Sequence, residues 1–534
     1  MRDRSAADAL LLVNSSLWSP GSGYLPGDSL LIRDGRIFRY GRYRDFTDKS
    51  YPVVDLQGAL VIPGFNDAHM HLMEGGLALQ QVQLRDSVDE NEFCERLRKT
   101  AAALAPGSWI TGGYWDHENW PSRRLPTRGL LDRAVPDHPV FVLRLDCHIG
   151  VANSLALQLA GIDESIANPP GGEFERDPQS GELTGILKDE AHKAMLRAIP
   201  ALTEEMRYRA LRHAMHHAAA LGVTSGQGQC EAADLPLFRR MAEQNQLTMR
   251  LSLWSIPEQS DSFTDLDGDW LRWGGVKLFA DGSLGAATAL LSSPYVEPSD
   301  SCGLEIYSAE EFRQLILTLD RRECDLVVHA IGDAAVTRTL DAFGNCQQVR
   351  RRRSRRHRIE HAQVVQPNDV PRFGQLGVIA SLQPSHAIDD MRWIADRLGE
   401  RQQWSYRLAS LLHAGTSIAL GTDWNVEPLD PLLTLHAAVW RQDTNGRPTQ
   451  GWFPAERVSI DQAVNFYTSG SAFAERQENQ KGRLQLGYLA DLVALSHDIF
   501  ADPRMLLEAR VEMTMVGGKI VYQHNVQAQI EEIR

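Results

Sequence analysis

The stretch LVIPGFNDAHMHL, residues 60–72, decides the reading of this chain. Side chains alternate across a strand, so residues two apart share a face. An apolar run from Leu60 to Phe65 leads into His69 and His71, and a strand there would aim both imidazoles at one point. An isolated His-x-His is equally well a pair of polar residues at a strand exit. Further candidate ligands downstream, each at the end of its own apolar run, break that tie.

Those runs are PVFVLRLDCH (139–148), GVTSG (222–226), GGVKLFADGS (274–283), DLVVHAIGD (325–333), HRIEHAQ (357–363), GVIASLQPSH (377–386) and TSIALGTDW (416–424). Helical segments lie between several of them, such as EEMRYRALRHAMHHAAALG (204–222) and AEEFRQLILTLDRRE (309–323). With the His69 strand they make about eight strands alternating with helices, the pattern of a (β/α)8 barrel. Their lack of clean polar alternation suits a parallel sheet buried on both faces.

Short strand-like pieces fill the first 62 residues, with Asp34-Gly35 as a hairpin turn. GYLADLVALS and VEMTMVGGKIVYQ close the chain, with Gly517-Gly518 as a second hairpin turn. Neither end has enough strands for its own sheet. The expectation is an α/β chain: a composite β-sandwich of residues 1–62 and 482–534, and a barrel over 63–481. Residues 73–200 contain one convincing barrel strand and many Trp, Pro and Gly, and read as an insertion or lid at the barrel mouth.

With 534 residues, 43% apolar and 23% charged, the chain can bury a large core. A formal net charge of −14 argues against a nucleic-acid partner. The basic run RRRSRRHR (351–358) reads as a solvated helix end and loop. No apolar stretch approaches bilayer length, and MRDRSAADALLLV lacks a signal peptide's core and cleavage pattern. Six scattered cysteines without a C-x-x-C pair read as reduced thiols. A cytoplasmic protein with a small-molecule substrate and no membrane partner is expected.

Barrel active sites gather at the carboxyl ends of the strands. Strand one ends in His69 and His71, strand four carries Lys277, strand five ends in His329, strand six in His361 and strand eight in Asp423. Alone, His329 or His361 is a core histidine, Asp423 a helix N-cap, and Lys277 a snorkelling side chain or a partner of Asp281. Together the four histidines and Asp423 form the imidazole and carboxylate set that zinc prefers.

PGFNDAHMHL (63–72), RLDCHIGVANSLAL (144–157), VKLFADGSLGAATALL (276–291), VVHAIGDAA (327–335), RIEHAQ (358–363), LGTDW (420–424) and GYLADLVAL (487–495) together resemble the amidohydrolase superfamily. More narrowly, they are similar to its branch containing N-substituted formamide deformylases. The resemblance implies a distorted barrel with a terminal β-sandwich, and metal ligands at His69, His71, His329, His361 and Asp423. It also implies Lys277 as an N-carboxylated bridge between two divalent ions, most simply zinc, with a one-metal site as the alternative.

The implied reaction is hydrolysis of an amide or formamide C–N bond by metal-activated hydroxide, with Asp423 as general acid and base. His329, His361 or a second metal would polarise the carbonyl. His148 and Asn153 fall in a segment that lies at the pocket in relatives. Trp115, His117, Trp120 and Trp424 are equally pocket lining or packing, and Asp281 and Ser283 organise the loop after Lys277. Cys147 and Ala286 stand where relatives often carry Gly and Ser, which leaves the substrate open. A one-metal deaminase and a non-catalytic scaffold are the rival readings, and a homo-oligomer is admitted by the resemblance alone.

Overall fold

Leu60–Pro63 is a strand of one sheet, and after Gly64 the chain continues as Phe65–Asp67 in another. That short passage joins a β-sandwich to a barrel. A Cβ on Gly64 would lie 2.2 Å from the Thr224 side chain, so only glycine fits the junction. The computed structural model describes residues 9–46, 51–117, 120–144, 149–169, 172–189, 191–297, 299–349 and 355–524. They divide into two compact units, one of residues 1–72 with 214–534 and one of residues 73–213.

The first unit holds a parallel sheet of eight strands. In chain order they are Phe65–Asp67, Val223–Gln229, Arg250–Ser255, Leu271–Phe279, Leu326–Ala330, Arg358–His361, Ile379–Leu382 and Ile418–Leu420. The eighth strand returns to the first. Ala68 N donates to Leu420 O at 3.0 Å, and Asp423 N donates to His69 O at 2.7 Å. A Cβ on Gly421 would lie 2.5 Å from His69 N, so the closure needs a residue without a side chain. Asp67 clamps the same seam, accepting from Thr422 Oγ1 at 2.8 Å and Tyr467 OH at 2.6 Å.

One barrel strand differs from the sequence reading. The run expected at 139–148 supplies Val140–Arg144, which pairs with antiparallel Ile149–Ala152 in a mixed sheet of the second unit. The barrel instead takes Arg250–Ser255 as its third strand. RLSLWS alternates like a half-exposed strand, yet all six residues are buried. Arg250 pairs with Asp491 at 2.6 Å, and Trp254 packs on His69.

Two further sheets face each other beside the barrel. One comprises Arg36–Gly41, Ser29–Arg33, Ala9–Val13 and Val53–Asp55. The other mixes both ends of the chain: Lys519–Gln523, Val511–Val516, Leu492–Leu495, Leu60–Pro63, Ser16–Ser19 and Gly23–Tyr24. Leu12, Ile32 and Ile37 from the first share one core with Val61, Leu492 and Met513 from the second. Asp34 and Gly35 have φ of 52° and 71°, and Gly517 and Gly518 have 56° and 76°. These are the left-handed pairs that a tight hairpin requires.

The unit of residues 73–213 has its own sheet, in the order Gly172–Arg176, Leu183–Asp189, Ile149–Ala152, Val140–Arg144, Ile110–Trp115 and Val82–Gln83. Its core includes Phe93, Leu131, Trp115 and Trp120. Among the described residues no helix is long and apolar enough to cross a membrane.

Candidate metal centre

Five of the six expected ligands converge directly at the carboxyl ends of the barrel strands, around Asp423. Its Oδ1 lies 3.1 Å from His71 Nε2 and 3.4 Å from His69 Nε2. Its Oδ2 lies 4.0 Å from His361 Nδ1 and 3.7 Å from His386 Nε2. The His361 ring is 4.9 Å from that of His69 and 4.6 Å from that of His329. Lys277, the sixth, is buried on the fourth strand, its Nζ 5.5 Å from the Trp254 ring and 5.1 Å from the Phe279 ring. Those two rings in turn contact His69 and His329.

Outer partners orient the imidazoles. His69 Nδ1 meets Glu360 Oε2 at 2.7 Å, His329 Nε2 meets Gly282 O at 3.0 Å, and His361 Nδ1 meets Gln383 Oε1 at 2.9 Å. Each partner is an acceptor, so each of those nitrogens carries the proton and the other nitrogen keeps its lone pair. This is the arrangement by which metal-ligating histidines are held. Glu360 is itself ion-paired to buried Arg358 at 3.0 Å.

Electrostatics agree with a ligand role. Burial, reinforced by the Lys277 charge, holds the His69 imidazole well below its usual pKa and takes His329 down to about 4. Burial and neighbouring His329 do the same to His361. Burial alone would raise Asp423, but His69, His71 and His361 outweigh it and keep the carboxyl well below its usual range. Neutral imidazoles and an ionised carboxylate are the forms that bind a cation. Burial lowers Lys277 to about 8, against the pull of Glu360 and Asp423.

His361 and Asp423 adopt φ of 71° and 61°. A left-handed backbone at a non-glycine residue costs on the order of 1–3 kcal/mol and gathers at functional sites. Asp281 does not pair with Lys277. It accepts from the backbone N–H groups of Leu290, Ile331 and Gly332 and so ties two loops together, while burial pushes its pKa up to about 7. Ser283 Oγ accepts from Ala286 N at 3.3 Å.

The substrate-side candidates are divided between the two units. Trp424 is buried beside His217 in the barrel unit. Trp115 and Trp120 are core residues of the other unit, their indoles donating to Val142 O and Ser87 O. His117 stacks edge-on against Trp115. Asn153 caps the helix Ser154–Leu159 and uses both amide atoms on the backbone of Val140, Val135 and His138, so its hydrogen-bonding capacity serves the fold. His148 and Cys147 lie outside the described residues, as does the basic run up to Ser354. The sequence pattern does not single out Glu360, Gln383 or His386. His386 stands one helical turn beyond the seventh strand, so a search of strand termini alone passes it by.

A parallel eight-stranded barrel with imidazoles and a carboxylate at its strand ends is the framework of a metal-dependent hydrolase. A family model described as the amidohydrolase family matches residues 52–522, and the chain belongs to that family. It is 34% identical to Protein LONG AFTER FAR-RED 3 of Arabidopsis thaliana, across 96% of this chain and 91% of that one. It is 27% identical to the N-substituted formamide deformylase of Arthrobacter pascens, across 96% of this chain and 98% of that one. A solved structure, an uncharacterized metal-dependent hydrolase from Pyrococcus furiosus, superposes with a TM-score of 0.74 at 31% identity, covering 92% of this chain and all (100%) of that one.

Proposed function

We propose that this chain is a metal-dependent hydrolase of a carbon–nitrogen bond in an amide or N-substituted formamide. The observation that carries the reading is the orientation of His69, His329 and His361, each with an acceptor on its outer nitrogen. His69, His71 and Asp423 would hold one divalent ion, most simply zinc, and His361 would hold a second together with His329, whose ring lies 4.6 Å from its own. A pKa near 8 leaves part of Lys277 as free amine at neutral pH, able to add carbon dioxide, release a proton and become an anionic oxygen donor between the two. Unmodified, its ammonium would repel the cations. A bound ion of this kind supplies Lewis acidity, which acidifies water to a pKa of about 7 and polarises a carbonyl.

The chain's own groups move the proton. Asp423, ionised and facing the imidazoles, takes a proton from the attacking water on one carboxylate oxygen. The same proton is then delivered to the leaving nitrogen, which departs as a neutral amine. His329 and His361 would hold the ion on the carbonyl side of the reaction. The formamide class is supported by the Arthrobacter pascens relative, whose own name states it. A reducing, cytoplasmic setting goes with the five free cysteines among the described residues.

Zinc-loaded protein assayed on N-substituted formamides, N-acyl amines and cyclic amides, beside its metal content, tests this. Amine release that disappears on chelation and returns with zinc is expected. A protein that retains no divalent metal would end the proposal.

A further inference from the structure

The sixth strand and the exit of the seventh hold each other's histidines. His361 is followed two residues later by Gln363, and Gln383 three residues later by His386. Gln383 Oε1 accepts from His361 Nδ1 at 2.9 Å, while Gln363 Nε2 donates to His386 Nδ1 at 3.2 Å. The two rings lie 11° from parallel with centroids 6.1 Å apart. His386 is thus fixed as deliberately as His361, and its residue is only 7% exposed.

The two glutamines present opposite atoms. An amide nitrogen only donates, so His386 Nδ1 must accept and the ring proton sits on Nε2. That nitrogen lies 3.7 Å from Asp423 Oδ2, within ion-pair range and too long for a hydrogen bond, at the oxygen away from His71. An imidazole with its proton on Nε2 has no lone pair there for a cation. It has a donor for a carboxylate oxygen.

We propose that His386 is a positioning residue for Asp423, its Nε2–H directed at Oδ2 so that the attraction keeps Oδ1 turned toward His69 and His71. The terminal torsion of an aspartate is broad, so a carboxylate held by one oxygen alone swings. The inference rests on the cation-centre reading above. Within that reading it adds a residue that acts through a ligand and is not one.

Cobalt(II) binding to metal-stripped, full-length protein tests it, read by visible absorption and by competition with a chelator. The expected result for His386→Ala is unchanged stoichiometry with a Kd raised about 10–100-fold. His386→Gln, which restores an N–H, should recover most of that loss. Gln363→Leu, which loosens the ring without touching Asp423, should shift Kd the same way by less, and it carries the test if His386→Ala does not fold. Wild-type affinity in both His386→Ala and Gln363→Leu overturns the proposal. Loss of a whole cobalt equivalent in His386→Ala also overturns it, because His386 would then be a ligand. A wild-type protein that takes up no cobalt would instead overturn the cation-centre reading, and this inference with it.

Discussion

Two largely buried histidine–aspartate clusters occupy opposite ends of the same barrel, and donor spacing alone does not separate them. His69, His71, His361, His386 and Asp423 gather at the carboxyl ends; Asp320, Cys346 and His357 gather near the amino ends of strands five and six. In the second cluster the lone pairs are already used. Arg355 donates to both oxygens of Asp320, at 2.6 and 2.8 Å, and His357 Nε2 donates to the same carboxylate at 3.2 Å. His357 Nδ1 accepts from Leu326 N at 3.1 Å. Burial pushes the Cys346 thiol up to about 12, so it stays protonated. Asp423, by contrast, has its ion pairs among the described residues with imidazoles. What distinguishes a cation site from a structural ion pair is where the lone pairs point.

The strongest way to break this contrast is to remove one carboxylate charge. Asp423→Asn should still take up metal at saturating zinc, though less tightly, while kcat falls by about 10²–10⁴-fold, the worth of a general acid–base group. Steady-state kinetics alongside metal analysis reads both quantities, and undiminished turnover would take Asp423 out of the reaction. At the other end, Arg355→Met takes the guanidinium from the buried Asp320 carboxylate and leaves it His357 as a donor. It should cost about 3–5 kcal/mol of stability, seen in urea unfolding, while kcat of the folded protein is unchanged. A large loss of kcat there would mean that the lower cluster serves the chemistry after all.

How much of this was legible in the sequence depends on how local each signal is. His329, His361 and Asp423 each end a short apolar run, and the strand-end rule leads to all three. The third barrel strand was hidden because the polar side of RLSLWS finds its partners far away, Arg250 on Asp491 and Trp254 on His69. Conversely, the apolar run at 140–143 imitates a barrel strand while pairing antiparallel with a neighbour six residues on. Glu360 could not be singled out because its meaning lies in a contact with His69, 291 residues away in the chain. Both hairpin turns were readable because left-handed backbone at Asp-Gly and Gly-Gly is written in the residues themselves.

Smaller effects sharpen the same contrast. Glu360→Gln replaces a charged acceptor with a neutral one behind His69 and should weaken metal affinity about 10–100-fold without removing a ligand. Competition with a chelator measures this, and an unchanged Kd would make Glu360 a partner of Arg358 alone.

The gentlest perturbation is pH, applied to metal-stripped protein. The folded pKa of His329 is about 4, set first by burial and then by the Lys277 charge, against about 6.5 for an unfolded histidine. As pH falls below about 6.5 the unfolded chain takes up a proton that folded His329 refuses. The stability linked to this residue is therefore whole above that pH, drains as pH drops toward about 4, and changes little below it. His329→Gln removes this contribution, so its urea midpoint should fall less than that of wild type between those limits. Lys277→Met removes the second cause and should move the window upward, toward the unfolded value. Parallel pH curves for wild type and His329→Gln would show that His329 titrates as it does in water, and so does not sit in the buried, neutral form that a cation requires.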